Sequence, residues 1–427
     1  IAAAQELAWL ARTVNSGAGE GLCAVLTADI DLGYQPWPVI GASAPFTGTL
    51  DGQGHTVSGL CVTELSGRTA LGLFGTAEHA VFRDITVSGS IDLTGVDMTG
   101  AADALRVGGL VGLGSGVTLE RCVSQVEITV SLTNAADNQS AALGGLAGRL
   151  TGDAHRLTDC RNEGAITVTM APGSRYPGGS GQGGLGGVTG SVTSDAVLAR
   201  CVNTGTITAG RAAGVGGIAG RLDGGSITVT QCANQGAVSN DTAASLLRRG
   251  GTGGIAGWLG AVENGTYTGS AALSYVYNSG TVTAGGSTAG VACGGLIGNW
   301  KTGRVTHGQN ASANRLWGVA ETLGTAAEDA VQVSALTPDT APDAGRWDKT
   351  TATRTLLARR ITPTDARRAV YGEEQSAVYN DILLTYLRRV ELSASAAETD
   401  AQLAGCDAQL QTVLTGAAAA GAQLLTD

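Results

Sequence analysis

The phrase GGLAGRL, Gly144 to Leu150, returns as GGIAGRL from Gly216 and as GGIAGWL from Gly253. Adjacent glycines weaken almost any isolated helix or strand, so their recurrence inside one phrase points to a backbone that must turn or approach a neighbour closely. Aligned on these pairs, Gly108-Gly109, Gly144-Gly145, Gly183-Gly184, Gly216-Gly217, Gly253-Gly254 and Gly294-Gly295 are separated by 36, 39, 33, 37 and 41 residues, with LGLFG at Leu71 to Gly75 as a degenerate earlier copy. That interval is the scale of a solenoid.

A second phrase follows each pair: CRNEGAI from Cys160, CVNTGTI from Cys201, CANQGAV from Cys232 and VYNSGTV from Val276, with CVSQVEI from Cys122 as an imperfect version. Segments such as GSITVTQC, Gly225 to Cys232, alternate β-branched residues at period two and carry no sustained helical stripe. About three short strands per repeat, each coil stacked on the last at ~4.8 Å, make the expected fold an all-β right-handed parallel β-helix. Equivalent residues then stack into ladders. Asn162, Asn203, Asn234 and Asn278 are expected to bond through their amides at one turn, where asparagine tolerates left-handed geometry, and Cys122, Cys160, Cys201 and Cys232 to line the interior. Four of the eight cysteines are thereby explained by repeat position, and free thiols are expected rather than a disulfide framework.

The copies differ in length mainly after the Asn-x-Gly phrase. TVSLTNAADNQSAAL, TVTMAPGSRYPGGSGQ and SNDTAASLLRRGGT are long, TAGRAAGV is short, and WLGAVENGTYTGSAALSY is a further insertion after Gly253. Insertions at one place in every coil crowd one side of the solenoid, where binding is usually placed.

Both ends need covering, because an open stack exposes strand edges. Leu7, Leu10, Ala11 and Val14 lie at helical spacing and predict a capping helix within residues 1–18, before a β-helix over 19–320. Residues 321–362, including SALTPDTAPDAG, read as a linker. Over 363–427, Tyr379, Ile382, Tyr386 and Val390, then Leu403, Cys406, Leu410, Val413, Ala417, Ala420 and Leu424, predict a C-terminal α-helical hairpin or small bundle.

A net charge of −10 disfavours a phosphate backbone or an anionic membrane as partner, and no apolar run reaches the ~18 residues of a spanning helix. The first residues, with Glu6 and Arg12 in an apolar stretch, are not a signal peptide; a chain starting at Ile1 leads us to expect a leader or further domains upstream. His55, His79, His155 and His307 are isolated, no zinc or calcium motif is present, and the G-x-G-x-x-G formed by Gly179, Gly181 and Gly184 is followed by no helix. No cofactor or metal is therefore expected. Asp29, Asp31, Asp51 and His55 are the carboxylate and imidazole groups to weigh for catalysis, although Asp51-Gly52 reads more simply as a turn. For carbohydrate binding the candidates are Trp258, Tyr267 and Trp300, with Trp258 and Trp300 at related places in their copies, together with Arg248 and Arg249 in an insertion.

The phrases GGLVG, GGIAG and GGLIG, followed by CVNTGTI and VYNSGTV, resemble the GLUG-motif repeats of bacterial surface and secreted proteins over about residues 20–310. LTADIDLGYQPWPVIG and FTGTLDGQGHTVSGL resemble the opening coils found before such repeats. The resemblance implies an extracellular β-helical stalk or adhesin-like module, noncatalytic, whose partner is a glycan or a protein of a host or bacterial surface. Some members are immunoglobulin A-specific metallopeptidases with an H-E-x-x-H zinc site, which this chain lacks. Two alternatives stand beside it: a polysaccharide lyase or hydrolase with a carboxylate groove on the β-helix, and an accessory segment of a larger secreted protease.

Overall fold

The computed structural model describes residues 1–67, 69–98, 104–133, 140–171, 183–210, 214–241, 251–263, 266–268, 270–285, 292–320, 327–328 and 331–332. For 261–263, 266–268, 319–320, 327–328 and 331–332 the backbone alone is described. The chain divides into two units, Ile1–Ser334 and Ala335–Asp427, and every described residue belongs to the first. The helical hairpin or bundle expected over 363–427 therefore lies outside the described residues.

Among the described residues the first unit is a parallel β-solenoid with one helix. A representative coil runs Gly214–Gly216, Ala219–Leu222, Ser226–Thr230, Ala233–Asn234 and Val238–Asn240, each strand pairing in parallel with its counterpart in the coils before and after. The first strand of each coil belongs to a sheet of seven strands, the second to a sheet of eight, and the last three to one large sheet. The coil thus has more segments than the three expected, because two bends divide the long face.

One bend is a left-handed residue immediately before the cysteine position. Asp84, Arg121, Asp159, Arg200, Gln231, Tyr275 and His307 occupy it in successive coils, all with φ between 51° and 57°. No asparagine takes that conformation among the described residues, contrary to expectation: the ladder asparagines sit in extended backbone two residues past the cysteine, from which their amides point inward. Left-handed backbone costs a residue with a Cβ about 1–2 kcal/mol, so the bend needs support from neighbouring coils. Arg121 supplies it by gripping Asp84 with two hydrogen bonds of 2.7 and 2.9 Å, and Arg200 grips Asp159 with two of 2.6 Å. Further along, Tyr275 and His307 stack with ring centroids 4.6 Å apart.

The second bend is the Asn-x-Gly phrase, and here the two sequence motifs meet. Each asparagine is fully buried and donates from Nδ2 both to the carbonyl of the glycine two residues on and to Oδ1 of the next asparagine, at 2.8–3.0 Å, from Asn162 through Asn203 and Asn234 to Asn278. A fifth rung is Asn310, which accepts from Asn278 at 2.9 Å and closes the ladder onto Ser312 and Asn314. Against this column lies the second glycine of each pair: a Cβ on Gly145, Gly187, Gly217, Gly254 or Gly295 would fall inside 3.0 Å of Asn162, Asn203, Asn234, Asn278 or Asn310 respectively. The glycine pair is the space in which the asparagine of its own coil is housed.

Register corrects one alignment. Gly186 pairs with Gly216, so the third copy is Gly186-Gly187 and not Gly183-Gly184; the GLG spelling of that phrase placed two pairs three residues apart. At the start of the array Ser124 and Val87 take the asparagine position, and the degenerate phrase carries one glycine, Gly72, before Leu73.

Helix α1, Ala4–Asn15, buries Leu7, Leu10, Ala11 and Val14 in the core of the solenoid. Its acidic Glu6 lies in the first turn and its basic Arg12 in the last, matching the helix dipole, and Asn15 ties its end to Val39 (3.0 Å) and Ala42 (2.8 Å). The first coils are filled by Phe46, Phe74 and Phe82, with centroids 4.7 to 5.7 Å apart, and later coils by aliphatic residues and cysteine. At the far end Ala327–Glu328 and Val331–Gln332 still pair with Arg304–Asn310, so strand pairing continues past residue 320 into the expected linker.

Two outcomes follow for stability. In Gly217→Ala the new methyl would meet Asn234 and the Gly254 carbonyl, and we expect a loss of about 2–3 kcal/mol in urea unfolding, whereas Gly210→Ala, whose nearest neighbour would be 3.3 Å away, stays within about 1 kcal/mol of the parent. Buried His155 accepts from Val117 N at Nδ1 and donates from Nε2 to the Thr151 carbonyl, which fixes a neutral ring. Burial pushes its pKa down from 6.5 to about 4, against the Thr151 bond and Asp153. The unfolded chain then binds a proton that the native state refuses. This contribution is whole above pH 6.5 and is lost as pH falls toward 4. Unfolding measured between these values should show a loss of about 3 kcal/mol that a His155→Leu variant lacks.

Candidate functional site

The eight-stranded sheet carries one outward position per coil that its apolar phrases leave variable: Arg149, Ser191, Arg221, Trp258 and Asn299 stand in register on adjacent strands. None is more than 8% exposed. Beneath them the seven-stranded sheet offers backbone without side chains, so that the Cγ of Arg221 lies at contact distance from where a Cβ of Gly184 or Gly214 would be, 3.2 and 3.0 Å. The glycines provide a flat floor on which a long side chain lies down.

Arg221 donates from Nε and Nη2 to Oδ2 of Asp223 at 3.0 and 2.8 Å, and its guanidinium stands 4.5 Å from the centre of the Trp258 ring. Lys301 Nζ reaches the same ring at 5.3 Å. Arg106, on the strand Ala104–Gly108 of the seven-stranded sheet, donates to Thr69 Oγ1 at 3.2 Å. Burial lowers the pKa of Arg106 and of Arg149, which the charge of Arg106 lowers further; burial raises that of Asp223, against the pull of Arg221 and Arg149. Charge thus couples Arg106 to Arg149 across the two sheets, and Arg149 and Arg221 to Asp223.

Trp258 is thus a buried member of this row and offers no open stacking platform; its Nε1 donates to the Gly260 carbonyl. Trp300 does not share its place. Register sets Trp300 beside Leu259 and Leu222 in the core, 3% exposed, with its ring edge to Trp317 at 5.3 Å. A shift of one residue along a strand reverses the face, so two tryptophans in similar phrases serve opposite sides of the sheet. Tyr267 lies on the strand Thr266–Thr268 of a small hairpin with Ala261–Glu263, and its side chain, like Arg248 and Arg249, is outside the described residues.

The acidic candidates do not converge. Asp29 accepts from the Thr56 amide at 2.8 Å and stands 3.1 Å from His55 Nδ1, and the Thr56 bond holds its pKa below the ordinary value. Asp31 closes a turn on the Gly33 amide at 2.8 Å, and Asp51 is taken up by Gln53 and by Arg83, at 3.0 Å from Nε. Among the described residues no group of His, Cys, Asp and Glu could hold a metal ion.

Cys122, Cys160, Cys201 and Cys232 occupy one buried column, with Ile85 before and Val276 after them. Each thiol donates to the carbonyl two residues back and to one in the preceding coil, at 3.3–3.6 Å. All are free, and burial pushes the thiols of Cys160 and Cys232 well up.

The polar row was missed in the sequence although a trace of it is there. Within AGRL, TGSV, AGRL, AGWL and IGNW the third residue is polar or bulky while its neighbours are small or apolar. No family model, curated protein or solved structure matches the chain.

Alkylation of the native protein with iodoacetamide, read by mass spectrometry, should modify exposed Cys23 and leave Cys122, Cys160, Cys201 and Cys232 unmodified until denaturant is added. Labelling of the four at the rate of Cys23 would contradict the closed core.

Proposed function

We propose that this chain is a noncatalytic extracellular module of a bacterial surface protein, a right-handed β-helical stalk that presents a binding surface in the manner of an adhesin. The observation that carries the reading is where the length variation falls. Segments 134–139, 172–182, 211–213, 242–250 and 286–291 all lie between the last strand of the long face and the first strand of the seven-stranded sheet, at one junction of the coil. An invariant stack with variable segments at a single junction separates a rigid scaffold from an adaptable edge. The likeness of its phrases to GLUG-motif repeats supports the same reading, as do the acidic balance of the chain and the absence, among the described residues, of a helix long and apolar enough to cross a membrane. Surface glycans and surface proteins are the partners it suits.

The intact chain should bind members of a glycan and surface-protein array. Replacing 134–139 and 242–250 by short Gly-Ser links, with the flanking strands kept, should abolish that binding and leave the thermal midpoint unchanged. Binding unaltered by both replacements would place recognition elsewhere.

A further inference from the structure

We infer that the corner at residues 151–154 is an acid-operated latch held by two histidines of opposite response: a proton on His155 undoes the inner tie, while His79 keeps the corner tethered from outside. The signal is the pH of the medium, whatever the chain binds. The corner joins the strand Ala147–Leu150 of the eight-stranded sheet to His155–Thr158 of the large sheet. Gly152, at φ 82°, Asp153 and Ala154 are exposed, so this short link can move while the strands on either side stay paired. The inner tie is the buried ring of His155. Ala196, Ile227 and Ala271 hold the same inward position in the next three coils, so His155 is the one of the four that can carry charge. Its Nδ1 holds the Val117 amide of the coil before, and its Nε2 holds the Thr151 carbonyl of its own. An incoming proton can bind only at Nδ1, and an imidazolium, which donates from both nitrogens, cannot accept from Val117. A charged ring among alanine and isoleucine is then favoured outside the core.

The outer tie spans three coils. His79 Nε2 stands 2.7 Å from Asp153 Oδ2, and both side chains are exposed. Between them the middle coil offers Gly116, at φ 61°, where a Cβ would come within 2.8 Å of His79 Cδ2 and 3.3 Å of Asp153 Cβ. The ring therefore crosses at the one place where that coil has no side chain to block it. A proton on His79 turns its bond to Asp153 into an ion pair, so the tether tightens while the inner tie lets go. Asp153 is also the charge that favours the protonated form of His155, two residues further on. Of the other charged groups at this corner, Glu78, Arg156 and Asp195 are exposed, and Asp195 Oδ1 accepts from the Ser226 amide at 2.6 Å.

The test is amide hydrogen exchange on the full chain between pH 7 and pH 4, read by NMR as protection factors. A released ring takes its proton near pH 6.5 and the native one only near 4, so the open form gains about tenfold for each pH unit between these values. Protection of the Val117 amide should fall with that slope. It should also lie at least about tenfold below the protection of Ile207 and Val238, which bond to Ala237 and Thr281 in the long sheet. Equal protection at the three amides would mean that the whole stack opens at once and would overturn the latch, as would a Val117 protection that ignores pH. His155→Gln keeps an acceptor for Val117 and has no proton to gain, so the slope at Val117 should vanish; a slope unchanged in this variant overturns the role of His155. In Asp153→Asn the tether is gone, and the Thr151 amide, bonded to Gly114, should lose protection in acid together with Val117. A Thr151 amide protected as in the parent would overturn the outer tie.

Discussion

A side-chain amide sealed inside a stack of coils must find every hydrogen-bond partner there, and the asparagine column does so only because each glycine pair leaves room for it. Each amide spends one N–H on its own coil and the other on the next, so it fixes the local bend and the spacing between coils together. The glycine opposite cannot carry a methyl while the asparagine is in place. Two motifs far apart along the chain are therefore one device, repeated from Asn162 to Asn310. At its upstream end Asn162 Oδ1 has no partner, because Ser124 stands where another asparagine would donate.

The rest of the coil is arranged around this constraint. Turning sharply before the asparagine requires a left-handed residue, and aspartate and arginine accept that conformation where ion pairs between coils, Asp84 with Arg121 and Asp159 with Arg200, stabilise it. The thiol column just inside the bend fills a position that Ile85 and Val276 fill at its ends, which makes packing a sufficient account of those cysteines. On the opposite side, close approach of the two glycine-rich sheets leaves a smooth surface, and the long side chains of Arg221 and its neighbours lie across it.

Much of this was legible in the sequence and some was not. Period and phrase are enough to anticipate a parallel stack, the asparagine and cysteine columns and a helix over Leu7, Leu10, Ala11 and Val14, because stacking makes equivalent residues neighbours. Gly183-Gly184 could not be told from Gly186-Gly187 by spelling alone, since register is decided by pairing across coils. The equivalence drawn between Trp258 and Trp300 failed for the same reason, one residue of offset being enough to reverse a face. The left-handed corner was hidden because its residues share a backbone conformation and not a side-chain type. In the polar row the identities vary from Arg149 to Ser191 to Trp258, so only the pairing shows them to be one column.

The central claim is that the buried asparagines act as one bonded column, and a double-mutant cycle on adjacent rungs tests it most directly. Unfolding free energies of Asn203→Ala, Asn234→Ala and the double variant would be compared with the parent. Each single change removes one partner and strands another buried group, for a loss of about 2–4 kcal/mol, while the double change loses their shared bond once. The account predicts a double loss smaller than the sum by about 1 kcal/mol or more. Losses that add within a few tenths of a kcal/mol would contradict it.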